Sequence, residues 1–126
     1  MKTVGEIEAA MCAGITRFEQ EFMGRGPKHI HAHLVGDMLL IRLEGVLTAA
    51  EQQLVKTLPP EKGRDLLKQV RTQLIETARP MLEALVLATT GAKVASLHHD
   101  ISVVTGEEVV LFSLDSVPKF REVKRR

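Results

Sequence analysis

His29, His31 and His33 stand at alternate positions in the segment EFMGRGPKHIHAH, which runs from Glu21 to His33. On a strand, alternate residues share a face, and imidazole is a common zinc ligand, so the spacing fits a metal site. It equally fits the wet face of a strand, where histidines have only adventitious metal affinity. His98 and Asp100 extend the metal candidates. They also raise a second chemistry, an acid–base pair of Asp100 with His98 or His99. The same segment holds Gly24-Arg25-Gly26-Pro27-Lys28. This is no P-loop: the spacing and the Lys-Ser/Thr pair are missing, and the loop leads from helix to strand, whereas a phosphate cradle leads from strand to helix. Its residues fit a helix stop, with cations favoured at the negative end of the helix dipole. They also fit a candidate anion site of Gly24, Arg25, Gly26 and Lys28, in which Arg25 and Lys28 are side-chain ligands for a carboxylate or phosphate.

Other catalytic signals are sparse. No Gly-x-Ser-x-Gly elbow is present, and Cys12, the only cysteine, lies in a helical pattern where it reads as a small buried hydrophobe. The expectation leans away from an enzyme and toward no cofactor, with zinc the metal to test. A single cysteine excludes an internal disulfide and a cysteine-cluster zinc site, and fits a reducing cytoplasm. The chain has no Trp or Tyr and a formal net charge of +1, which argues against nucleic acid as a partner. The N-terminus lacks the apolar run of a signal peptide. The stretch from Pro80 to Ala92 is too short to span a bilayer, so no transmembrane segment is expected. The basic residues Lys119, Arg121, Lys124, Arg125 and Arg126 mark residues 117–126 as a tail. Such a tail keeps a protein soluble or holds it at an anionic membrane surface.

These residues must be positioned by a single α+β domain over residues 1–116. Thr3-Val4-Gly5-Glu6 is a capping box opening a helix with a stripe at Val4, Ile7, Met11, Ile15, Phe18 and Phe22. Strands follow at 30–35 and 38–43 around Gly36-Asp37. Thr48-Ala49-Ala50-Glu51 opens a short helix that Pro59-Pro60 ends. A long helix then runs from about Glu61 to Thr90, with a stripe at Leu67, Val70, Leu74, Ala78, Met81, Leu85 and Ala88 and a kink expected at Pro80. Arg64, Lys68, Arg71 and Arg79 read as its solvated face. A second hairpin covers 93–104 and 107–114. Two helix–strand–strand units make a four-stranded antiparallel or mixed sheet with helices on one face, a permuted ferredoxin-like sandwich. The more apolar second strand of each hairpin belongs inside. Pairing Val35 with Met38 puts the three histidines on the open face, with Met38, Leu40, Val109 and Leu111 as an apolar strip. An exposed strip of this kind marks a homodimer interface.

The segments FMGRGPK, GDMLLIRLEGVLTAAEQQL, R..LIETARPMLEALV and TGAKVASLHHDISVVTGEEVVLFSL, in this order, resemble a bacterial family labelled MpsC-like. That family takes its name from a sodium-translocating, membrane-potential-generating system and was formerly a domain of unknown function. The likeness runs from about Val4 to Leu114. The positions matching the family pattern are Gly24, Arg25, Gly26, Pro27, Leu47, Thr48, Asp100 and Thr105, and the pattern does not require the histidines at 29, 31 and 33. The resemblance implies a cytoplasmic accessory or regulatory protein of that system, one with a membrane-system protein partner. It carries over no catalytic residues.

Overall fold

The computed structural model describes residues 1–122. Helix α1, Val4–Phe18, starts where the Thr3 hydroxyl accepts the Glu6 N–H and the Glu6 carboxylate accepts the Thr3 N–H. Its buried line is Ile7, Met11, Ile15 and Phe18. The helix then widens into a π-turn, Glu19–Met23, which ends at Gly24 in the left-handed region at φ 88°. Widening changes which of the following residues face inward. Glu19, four residues past Ile15, stays on the buried line, while Phe22, expected in the core stripe, is partly exposed and stacks on Phe18 with ring centroids 5.2 Å apart.

Strands β1 (His29–Val35) and β2 (Met38–Glu44) form the first hairpin. Helix α2 spans Ala49–Thr57 behind the Thr48 capping box, and α3 spans Pro60–Thr90, running through Pro80. Strands β3 (Val94–Ile101) and β4 (Glu108–Leu114) form the second hairpin. The sheet is fully antiparallel in the order β1-β2-β4-β3, so the more apolar strands are interior, as expected. Val35 pairs with Met38, and β1 keeps that register to His29 opposite Glu44. Strand β3 stops at Ile101, short of the expected 104, because Ser102–Glu107 turns on hydrogen bonds of its own.

Alternation along the strands separates two faces. Ala32, Leu39, Ile41, Leu43, Val110, Phe112 and Leu114 are buried against the helices and form one core with Met11, Ile15 and Leu82. Here α3 corrects the sequence reading. Its buried line is Gly63, Leu67, Arg71, Ile75, Ala78, Leu82, Val86 and Thr90, so Arg71 is inside and not on a solvated face. Val70 and Met81, expected inside, are exposed, as is Ala88. A step of four from Leu67 reaches Arg71 and then Ile75, and packing followed that line despite its charge. At the C-terminal end, Arg121 folds back on the start of the chain, its N–H donating to the Lys2 carbonyl at 2.8 Å. The tail residues Lys124, Arg125 and Arg126 lie outside the described residues.

Candidate functional site

Three distant parts of the sequence meet in one surface cavity of about 310 Å³. The loop after α1 gives Arg25 and Lys28, the turn after β2 gives Gly45 and Leu47, and Val103, Val104, Thr105 and Gly106 close it from the β3–β4 loop. Helix α2 adds Gln52, Val55 and Lys56. Backbone hydrogen bonds fix the first loop. The Gly24 and Arg25 N–H groups donate to the Glu19 carbonyl, and the Lys28 N–H donates to the Glu44 carbonyl at 2.8 Å. The Lys28 side chain lies across Gly45, which has φ 68°. A Cβ there would come within 2.7 Å of Lys28 Cγ, so this glycine is required both by its backbone and by its neighbour. Among the described residues, Arg25, Lys28 and Lys56 form no ion pair with a carboxylate. The cavity therefore carries three uncompensated cations over an aliphatic wall of Leu47, Val55, Val103 and Val104. That composition suits a small anion with a short apolar body.

Segments that line the cavity also contribute to a buried charged cluster that sequence reasoning missed. Arg71, 1% exposed, donates to Glu51 at 2.8 and 3.0 Å, to Glu108 Oε2 at 3.1 Å and to the Val46 carbonyl at 3.1 Å. His99 Nε2 is 2.8 Å from the same Glu108 oxygen. Burial, with the adjoining Glu108 carboxyl, pushes Glu19 up to about 9. Burial also opposes ionisation of Glu108. Hydrogen bonds from His99 and Glu19 and the charge of Arg71 outweigh it, and hold Glu108 below the usual carboxylate range. At neutral pH the pair is therefore a carboxylic acid donating to a carboxylate. With both carboxyls ionised, Glu19 Oε2 and Glu108 Oε1 are buried without a hydrogen-bond partner, and His99 Nδ1 also has none. A proton on Glu19 provides the donor that two facing carboxylates lack.

The histidine candidates are arranged differently. His29, His31 and His33 line the open face of edge strand β1, with the His31 and His33 rings 6.5 Å apart. His98 is on the opposite edge, three strand spacings or about 14 Å away. Asp100 is engaged by Lys68 at 2.9 Å, and its carboxyl lies below the usual range through that hydrogen bond and one from the Ile101 N–H. Among the described residues no hydrogen bond joins Asp100 to His98 or His99, and His99 bonds Glu108 instead. Among the described residues, no three His, Cys, Asp or Glu side chains are grouped closely enough to hold a metal ion. Also among them, no helix is long and apolar enough to cross a membrane. The open face has the expected strip: Leu40, Val109 and Leu111 are half-buried and Met38 is exposed.

Residues 3–116 match the family model described as the Na+-translocating membrane potential-generating system (MpsC). Two similar proteins, both from Bacillus subtilis (strain 168), are the uncharacterized proteins YbcI and YrhF. YbcI is 35% identical over 113 residues, covering 90% of this chain and 89% of YbcI. YrhF is 34% identical over 107 residues, covering 80% of this chain and 81% of YrhF. No solved structure matches.

Proposed function

This chain belongs to the MpsC family, and from that premise we propose that it is a small accessory or regulatory component of a sodium-translocating, membrane-potential-generating system. It works by binding a small anion in the cavity between the α1–β1 loop, α2 and the β3–β4 loop. The observation that carries this reading is the convergence of Arg25, Lys28 and Lys56 on one cavity, with no carboxylate among the described residues that line it. Arg25 supplies a planar donor fork for a carboxylate or phosphate, and the lysines add charge without fixed geometry. The aliphatic wall takes the uncharged part of the ligand. A single ionised group satisfies the cations and gives the system a signal or a tethered partner group to read.

The open sheet face completes the proposal. Met38, Leu40, Val109 and Leu111 make a central apolar strip flanked by Arg42, His31 and His98, and two copies pack through it. Native mass spectrometry of tag-free protein taken directly from cells tests both parts. The expected spectrum is a dimer with a small anionic adduct. In Arg25→Ala the adduct is lost while the dimer and the circular dichroism spectrum stay. An unfolded Arg25→Ala protein, or one that keeps the adduct, assigns the loop a structural role.

A further inference from the structure

The cavity and the buried carboxyl pair are built from the same segments. The Glu19 carbonyl holds the N–H groups of Gly24 and Arg25, at the head of the loop that carries the cavity cations. Arg71 holds the Val46 carbonyl next to the cavity-lining Leu47. It also holds Glu51, on the helix that presents Gln52, Val55 and Lys56. Glu108 stands two residues past Gly106. Each wall is therefore anchored within a few residues of the cluster.

Glu19 occupies a costly position. It begins a π-turn, an irregularity found mostly where a helix is held out of register for function. The charged groups facing it are Glu108 from β4, Glu51 from α2 and Arg71 from α3, with His99 of β3 reaching it through Glu108. Arg71 provides one positive charge, already divided between Glu51 and Glu108. Nothing is left to neutralise a second buried carboxylate beside Glu108, so ionised Glu19 has to leave its pocket. The π-turn offers the route. Glu19 is its pivot: the Glu19 N–H still bonds the Ile15 carbonyl in the α-helical register while its own carbonyl holds Gly24 and Arg25, so a swing of the side chain out of its pocket shifts that carbonyl and the loop bonded to it.

We propose that the proton shared by Glu19 and Glu108 is a latch on the cavity: while it is present the Gly24–Lys28 loop is held in its binding position, and its departure to solvent releases Glu19 and that loop together. One proton leaves per chain: the Glu19 O–H bond breaks, its electron pair stays on the carboxylate, the proton passes to water or hydroxide, and no other covalent bond changes. The functional consequence rests on the cavity being the anion site; the latch belongs to the unliganded chain. By linkage, an anion that needs the formed loop also holds the proton in place. Above the transition, affinity for inorganic phosphate then falls about tenfold per pH unit.

Methyl NMR of the full chain without ligand, from pH 7 to 10, tests the latch. Leu47, Val55 and Val103 report on the cavity wall, and Leu39 and Ile41 on the distant core. In wild type the wall methyls should follow a one-proton transition near pH 9 that the core methyls do not share. In Glu19→Gln the amide still donates to Glu108 and has no proton to lose, so the wall methyls should keep their neutral-pH positions. Comparing the two proteins isolates Glu19 from other groups titrating in the range. If Glu19→Gln fails to fold, Glu108→Gln decides, because removing the like charge should move the transition to lower pH. Absence of the transition in wild type, or its persistence unchanged in the variant, overturns the latch. If the transition is seen but phosphate at pH 7 moves no wall methyl, the latch stands and the anion reading fails.

Discussion

Replacing Arg71 by Met keeps much of the side-chain volume and removes the one cation in the buried cluster. The four hydrogen bonds it donates, to Glu51, Glu108 and the Val46 carbonyl, all disappear. Glu51 is partly exposed and can turn to water, but Glu108 is 0% exposed and cannot. The dominant cost is therefore one buried carboxylate deprived of its counter-charge, about 3–5 kcal/mol when a buried pair is broken from one side. A domain of this size has roughly 5–15 kcal/mol in total, so the variant should fold with a much reduced margin. Urea unfolding followed by circular dichroism reads the loss directly. At a slope of about 2 kcal/mol per molar urea, the midpoint should fall by about 2 M. Adding Glu108→Gln to Arg71→Met removes the stranded charge and should recover part of the loss, giving a double variant more stable than Arg71→Met alone. The pH dependence should also change sign. In wild type Glu108 is depressed, so its contribution is present above the ordinary carboxylate range and is lost as pH falls through its folded value. Without Arg71 the folded value rises above the ordinary one, and acidification from neutral pH should stabilise the variant relative to wild type. A loss below about 1 kcal/mol, or a double variant less stable than Arg71→Met, refutes the reasoning.

Gly45→Ala forces a Cβ against Lys28 at a positive φ and should cost about 1–2 kcal/mol while weakening phosphate binding. Gly91→Ala, at φ 76° with open space around it, is the matched control: a similar loss in urea titrations with binding untouched. Leu111→Asp puts a charge in the middle of the open-face strip; light scattering should give a dimer for wild type and a monomer for the variant, with an unchanged far-ultraviolet spectrum. Glu19 gives a further pH signature, because its folded value of about 9 lies above its unfolded one. The folded chain then holds an extra proton between those values, and wild-type stability should fall as pH rises through that window, by at most about 1.4 kcal/mol per unit. Glu19→Gln should flatten that slope in urea titrations at pH 6, 7 and 8.

The fold was legible because its signals were local and agreed with one another. Two Thr-x-x-Glu boxes mark the helix starts that the structure uses. Alternation through Ile30–Leu34 and Leu39–Leu43 set which face of the sheet is buried, and with it the register. The loop of Arg25 and Lys28 was legible as cationic, but its cavity was not. Leu47, Lys56 and Thr105 join it only through the sheet order and the placement of α2, which no local pattern encodes. The buried cluster was hidden by treating charge as evidence of exposure. Its members nonetheless sit in phase with the core lines. Glu19 is four residues past Ile15, and Arg71 is four from both Leu67 and Ile75. Glu108 shares parity with Val110 and Phe112, and His99 with Leu97 and Ile101. A charged residue on a strict apolar line is the signal that could have found them. The register change after Glu19 comes from the π-turn, which removes Phe22 from the stripe that the sequence offered.

The central claim is that Arg25, Lys28 and Lys56 bind an anion. A nitrogen–proton correlation NMR titration at pH 7, with inorganic phosphate and a short-chain carboxylate, tests it most directly. Saturable shifts should be confined to Arg25, Gly45, Leu47, Lys56, Thr105 and Gly106. These shifts should be lost in Arg25→Ala/Lys28→Ala protein whose remaining spectrum is unchanged. Shifts that do not saturate, that scatter over the outer face of α3, or that survive in the double variant would contradict it.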